Sequence, residues 1–350
     1  SSGKWQIHID RLLADKRLVY FYPDIIRTGN IQKPHLDVLL DLIRKDVVSP
    51  DRANCLRYGS VTEGIDPQTI ADFCLSLAKL GSQASWSALD IIYMYCFGNK
   101  GSIEKIREPL KLLVIEVPLH KDQTVTAMDA HHWHDMAEKL LKVHDKEFAI
   151  ALSNQLISAC RLGLNHGDIW HYTKPLLSDL MRDYGDSLWP MFGNAIAQAK
   201  GIELYWLQQL LDRENSFSNQ MPSVLSMVPV DSVISWCEEL PELGPSFVAN
   251  CVNILETVDG MQQPSKLFVA LLVSFGDDKR VASSLSANMG TRGWSGSLVP
   301  YLEADKAALG LLLEHESGNV RRWIKNHIDY IDRQIQDESI KDDEQNLGIF

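Results

Sequence analysis

The sequence predicts an all-α fold, an irregular α-solenoid of stacked antiparallel helix pairs, on three observations. Apolar residues recur at helical spacing in one segment after another, caps and breakers close the segments, and no alternating period-2 run of useful length interrupts them. A compact multi-helix bundle is the alternative, because periodicity alone does not separate the two.

Within 34–48, Leu36, Leu39, Leu40, Ile43 and Val47 form one helical stripe. Asp66 is placed to cap the next helix, Pro67 suits its first position, Ile70, Phe73, Leu77 and Leu80 make its stripe, and Gly81 ends it. Its partner runs from Trp86 through Leu89, Ile92, Tyr93 and Phe97 to Gly98, so the pair fills 66–98. The same order of helix, short polar turn and second helix recurs at 129–143 with 145–162 and at 173–184 with 186–199. It continues at 231–240 with 245–256, 264–275 with 278–289, and 304–315 with 319–336.

A helix pair about every 35 residues matches the period of helical repeats, whose units bury their apolar faces only by stacking. The pairs share stripes and caps but not residue types, so the repeats are degenerate. The expected organisation is a cloning scar or cut site at 1–3, an N-terminal helical-repeat part at 4–220, C-terminal repeats at 221–336 and an acidic tail at 337–350. The tail, with Asp337, Glu338, Asp342, Asp343 and Glu344, is expected as a frayed helical extension in water that caps the array. Without an initiating Met, the chain reads as a fragment of something longer.

With 45% apolar and 23% charged residues the chain can bury a substantial core and lacks the composition of disorder. A net charge of −12 disfavours nonspecific binding to nucleic acid, which depends on clustered Lys and Arg. Cys55, Cys74, Cys96, Cys160, Cys237 and Cys251 form no CxxC pair and read as reduced, buried thiols of a cytoplasmic protein. The longest apolar stretch, 267–275, is about half of the roughly 20 residues that span a bilayer, so no membrane partner is expected.

Neither GxxxxGK[ST] nor GxGxxG after a strand is present, and no cofactor is expected. Gly293-Trp294-Ser295-Gly296-Ser297 lacks the final Gly and preceding strand of a nucleophile elbow. His315-Glu316 fails as HExxH because Asn319 stands where the second His belongs. The paired carboxylates Glu238-Glu239 and Asp277-Asp278 sit at helix ends or turns, where solvation or capping explains them.

The densest chemistry is His131-His132-Trp133-His134-Asp135. Neighbouring positions on a helix point about 100° apart, so only His131, His134 and Asp135 share a face that could hold zinc. His166, Asp168 or His171 would supply a further ligand, giving a helical metal-dependent enzyme or metal-regulated protein as the alternative function. The plainer reading is a solvated, polar helix start.

Of nine tryptophans, Trp86, Trp206, Trp236 and Trp323 fall on helical stripes and are expected in the core. Trp294 lies among Gly and Ser beside Arg292, an amphipathic aromatic next to an Arg that resembles a binding hot spot. Tyr301 follows it, and Arg321, Arg322 and Lys325 form a basic step on the last helix. The plainer reading folds Trp294 back between repeats and sets the Arg pair against Glu314 and Glu316.

The last pair resembles a HEAT repeat: Leu309, Leu312 and Leu313, a turn over 314–319, then Val320-Arg321, Ile324, Ile328 and Ile331. It departs from that pattern at Trp323, where the family has a small residue, and at Glu314 or Glu316, where the family has a turn Asp. More loosely, the layout resembles the end of large bacterial phage-defence proteins such as defence NTPases and defence-associated sirtuins. Repeat architecture without catalytic motifs leads to the expectation of a non-catalytic interaction module for a protein partner, and the resemblance in layout implies that it is the C-terminal sensor or scaffold following an effector domain.

Overall fold

The computed structural model describes residues 2–98, 102–119, 126–162, 168–212, 223–290 and 294–347. Among them the chain is all-α apart from one hairpin, and no helix is long and apolar enough to cross a membrane. It divides into two compact units, Ser1–Leu176 and Leu177–Phe350. The boundary expected at 220/221 falls outside the described residues.

The first unit holds α1 (Ser2–Ala14), α2 (Tyr22–Ile26), α3 (Lys33–Arg44), α4 (Gly59–Thr62), α5 (Pro67–Ala78) and α6 (Ser82–Gly98). It continues with α7 (Ser102–Lys105), α8 (Arg107–Glu116), α9 (Ala127–Leu141) and α10 (Lys146–Leu162). The cap on α5 is as expected: Asp66 accepts from Thr69 N at 3.0 Å, and the chain leaves past Gly81 at φ +124°. In contrast, α3 stops at Arg44 because the chain turns back through Asp46 at φ 55°, which leaves Val47 exposed and off the stripe. Phe97 is likewise exposed at the end of α6.

Helix α8, not expected from the sequence, occupies the middle of the unit, against α5, α6, α9 and α10. Its closing carbonyls have no intrahelical donors and are satisfied from neighbouring helices. Trp133 Nε1 of α9 donates to Val114 O at 3.3 Å, while Gln155 Nε2 of α10 donates to Val114 O and Val117 O at 2.9 and 2.6 Å. Trp133 is fully buried there. The expected partnership of α9 with α10 therefore runs through an intervening helix.

Helix α11 (Asp168–Gln198) starts in the first unit and continues into the second. The polar turn expected near 185 is instead a kink at Tyr184, whose φ of −133° breaks an otherwise continuous helix. The second unit continues with α12 (Ile202–Leu211), α13 (Val230–Glu239) and α14 (Gly244–Cys251). The helix expected over 245–256 is cut short, because 255–264 forms a hairpin of β1 (Leu255–Val258) and β2 (Met261–Pro264), with Val258 opposite Met261. Asp259 and Gly260 take φ 51° and 79°, the paired left-handed geometry of a two-residue hairpin turn.

Four helices close the unit's order: α15 (Lys266–Phe275), α16 (Lys279–Gly290), α17 (Val299–Gly310) and α18 (Gly318–Asn346). Like packs on like in part of this series, α13 against α15 and α14 against α16. Asn288 of α16 donates its amide to Ala249 O and Val252 O of the α14 terminus at 2.9 and 2.8 Å, the same device that closes α8. At the last pair the pattern changes: α18 lies against both α15 and α17, and α17 lies against β2. Helix α17 also starts earlier than expected, with Pro300 in its first turn, and ends at Gly310, so Leu313 falls in the following turn and is exposed.

Candidate functional site

The histidine run lies on α9, facing α6, and the structure selects a different member from the expected three. His132, only 5% exposed, brings Nδ1 to 2.9 Å from Asp90 Oδ1 of α6, off the line of a hydrogen bond but within ion-pair distance. Asp90, 6% exposed, also meets Arg57 at 3.4 Å. Tyr93, one turn beyond Asp90, stacks its ring on His132 with centroids 3.9 Å apart.

Asp135 takes part in this cluster as an acceptor. Lys139 Nζ lies 2.5 Å from its carboxylate, and the Tyr93 hydroxyl also donates to it. Burial alone would push the Asp135 carboxyl up, but those two hydrogen bonds and the Lys139 charge outweigh it and hold the carboxyl below its usual range. Burial, reinforced by Asp135, pushes the Tyr93 phenol up to about 12.

His131 and His134 both approach the Tyr172 ring of α11, at centroid distances of 5.8 and 5.4 Å, and His134 Nε2 stands 3.9 Å from Glu138. No group of three His, Cys, Asp or Glu side chains is placed to hold a metal among the described residues. His166 lies outside those residues, as do the side chains of Asp168 and His171, although both belong to α11.

The cysteines are free thiols. Burial pushes Cys55, Cys96 and Cys237 up to about 12, which leaves little thiolate at neutral pH.

In the second unit, Trp86's expected counterparts Trp236 and Trp323 are buried, while Trp206 is half-buried. Trp86 itself is buried in the first unit. Trp323 donates to Ala282 O at 3.2 Å and stacks on His327 with centroids 4.7 Å apart. Together with Tyr330 they line an open groove of about 560 Å³ whose other wall is Ala282, Ser283, Ser286 and Ala287 of α16.

Trp294 is 46% exposed in the segment before α17, and Tyr301 on α17 is 41% exposed. Arg292 lies outside the described residues. The segment is fastened by Ser297, whose Oγ donates to Asp342 at 2.5 Å and accepts from Val299 N at 3.1 Å. The acidic stretch thus belongs to α18 as far as Asn346, with Asp342 tied back to the Trp294 segment. A second tie, Lys306 to Asp332 at 2.5 Å, sets α17 antiparallel to α18, with Tyr301 in the first turn of α17.

The basic step on α18 is engaged differently from the expectation. Arg321 donates to the carbonyl oxygens of His315 and Glu316, and Arg322 pairs with Asp277 at 2.8 Å. The guanidinium of Arg321 closes the preceding turn through its backbone, so carbonyls take the place given to the Glu314 and Glu316 carboxylates.

Asp90, Tyr93, Arg57 and the Ser297–Asp342 tie were missed in the sequence. A carboxylate inside the apolar stretch of α6 is a signal for the first of these, since an Asp is rarely buried without a partner. Comparison with known proteins returned no match to a family model, a curated protein or a solved structure.

Proposed function

We propose that this chain is a non-catalytic helical interaction module that binds a protein partner through an aromatic surface of its second unit. The observation that carries the reading is the exposure of Trp294, in the segment that Ser297 fastens to Asp342, and of Tyr301 in the first turn of α17 that follows it. Large aromatic side chains presented from a fixed backbone lose little entropy on binding and contribute a disproportionate share of interface energy. The like-with-like packing of α13 on α15 and α14 on α16 supports the repeat-based part of the reading.

In its fuller form the chain serves as the C-terminal sensor or scaffold of a larger bacterial defence-type protein, a placement supported by the resemblance in layout. The histidine cluster supports a structural role, because Asp90, His132, Asp135 and Lys139 engage one another across α6 and α9 or along α9. Affinity capture tests the proposal, using the intact protein and a Trp294→Ala/Tyr301→Ala variant of matched helical content. Loss of a specific captured protein is expected in the variant. Retention of every captured protein removes this surface from the proposal.

A further inference from the structure

The partner's chemistry follows from what lies beside the exposed aromatics, if the interaction reading holds. From 337 to 344, α18 carries five carboxylates, Asp337, Glu338, Asp342, Asp343 and Glu344, against the single cation Lys341. The Ser297 to Asp342 hydrogen bond fixes this stretch against the segment bearing Trp294. The ties from Ser297 to Asp342 and from Lys306 to Asp332 set α17 antiparallel to α18, and Tyr301 stands exposed in the first turn of α17, four residues after Ser297. Asp337 and Asp343 are exposed, while Glu338 is paired with Lys341 at 2.5 Å. The negative end of the helix dipole adds to the field there.

An acidic partner would meet repulsion at this place, and a purely apolar one would have to desolvate unpaired carboxylates. We infer that Trp294 and Tyr301 receive a basic protein segment, one that sets Arg or Lys against the acidic end of α18 while its apolar part covers the two rings. A guanidinium could also lie over the Trp294 face, where an exposed cation–π contact adds modestly to the attraction. The partner's own charge thereby supplies orientation and the aromatic pair supplies affinity.

The test uses the full chain and a labelled dodecapeptide of repeated Arg-Gly-Leu, with the Glu-Gly-Leu counterpart as the opposite charge. Affinity is measured for the wild type, for Trp294→Ala, for Asp337→Asn/Asp343→Asn/Glu344→Gln, and for a control, Glu63→Gln/Asp72→Asn/Glu116→Gln. The control removes the same charge from exposed positions in the first unit. The Arg peptide is expected to bind and the Glu peptide not to bind. Neutralising the end of α18 weakens binding by about tenfold, Trp294→Ala does the same, and the control changes it by less than about twofold.

Equal weakening by both neutralised variants overturns the inference, because the attraction is then that of net charge alone. So does an Arg peptide indifferent to Trp294 or to the α18 carboxylates, or preference for the Glu peptide. Partner capture separates the two levels. Capture that needs Trp294 and Tyr301 but ignores the neutralised helix end overturns this inference alone, whereas capture that ignores both aromatics overturns the interaction reading beneath it.

Discussion

Ser297 donates its hydroxyl to the Asp342 carboxylate across 2.5 Å, joining the segment of Trp294 to a helix turn 45 residues later. Replacing Ser297 by Ala removes this charged hydrogen bond and the acceptor for Val299 N, and is expected to cost about 1 to 2 kcal/mol. Amide exchange over 337–346 should accelerate in the variant. Unchanged exchange there contradicts a fastening role.

Asn288 carries the closure of α14 in its amide group. In the Asn288→Leu variant two buried carbonyls, Ala249 O and Val252 O, lose their donor, so a loss of about 2 to 3 kcal/mol is expected in urea unfolding. Gln155→Leu should behave alike at the end of α8, where Val114 O keeps its second donor, Trp133, and Val117 O loses Gln155. A smaller loss at Gln155 than at Asn288 is the expected order.

Helical stripes and caps made much of the fold legible. Asp66, Pro67 and Gly81 bound α5 by local chemistry that a sequence displays directly. Helix α8 was not legible, because it is only ten residues long and its closing carbonyls are satisfied by Trp133 and Gln155 from distant positions. The hairpin had a readable signal in Asp259-Gly260 flanked by Val258 and Met261, but the surrounding helical period masked it. Among site residues, Trp294 was legible because flanking Gly and Ser deny it a helix, whereas the choice of His132 over His131 depends on where α6 places Asp90.

The pair of Asp90 and His132 should show energetic coupling. Asp90→Ala is expected to cost roughly 2 to 4 kcal/mol, since it leaves buried His132 without its carboxylate, and His132→Ala less, since Asp90 keeps Arg57. A double-mutant cycle should give about 1 to 2 kcal/mol of interaction, and additivity within about 0.5 kcal/mol contradicts the pairing.

Acid should erase the contribution of Asp135. Its carboxyl is held down in the folded state, so the stabilisation is complete above the ordinary carboxylate value of about 3.9 and is lost as pH falls through the lower folded value. The wild type should therefore unfold at higher urea than Asp135→Asn at neutral pH, with the gap closing in acid. A gap that persists unchanged below that range contradicts the assignment to ionised Asp135.

The interaction reading is tested most directly by placing a photoreactive phenylalanine analogue at Trp294, at Tyr301 and, as a control, at exposed Ile202 in the intact protein within its native cells. Irradiation should yield the same discrete cross-linked partner from 294 and 301 but not from 202. The same products from all three positions, or none from 294 and 301 when the variants fold and accumulate normally, would contradict a binding surface built on Trp294 and Tyr301.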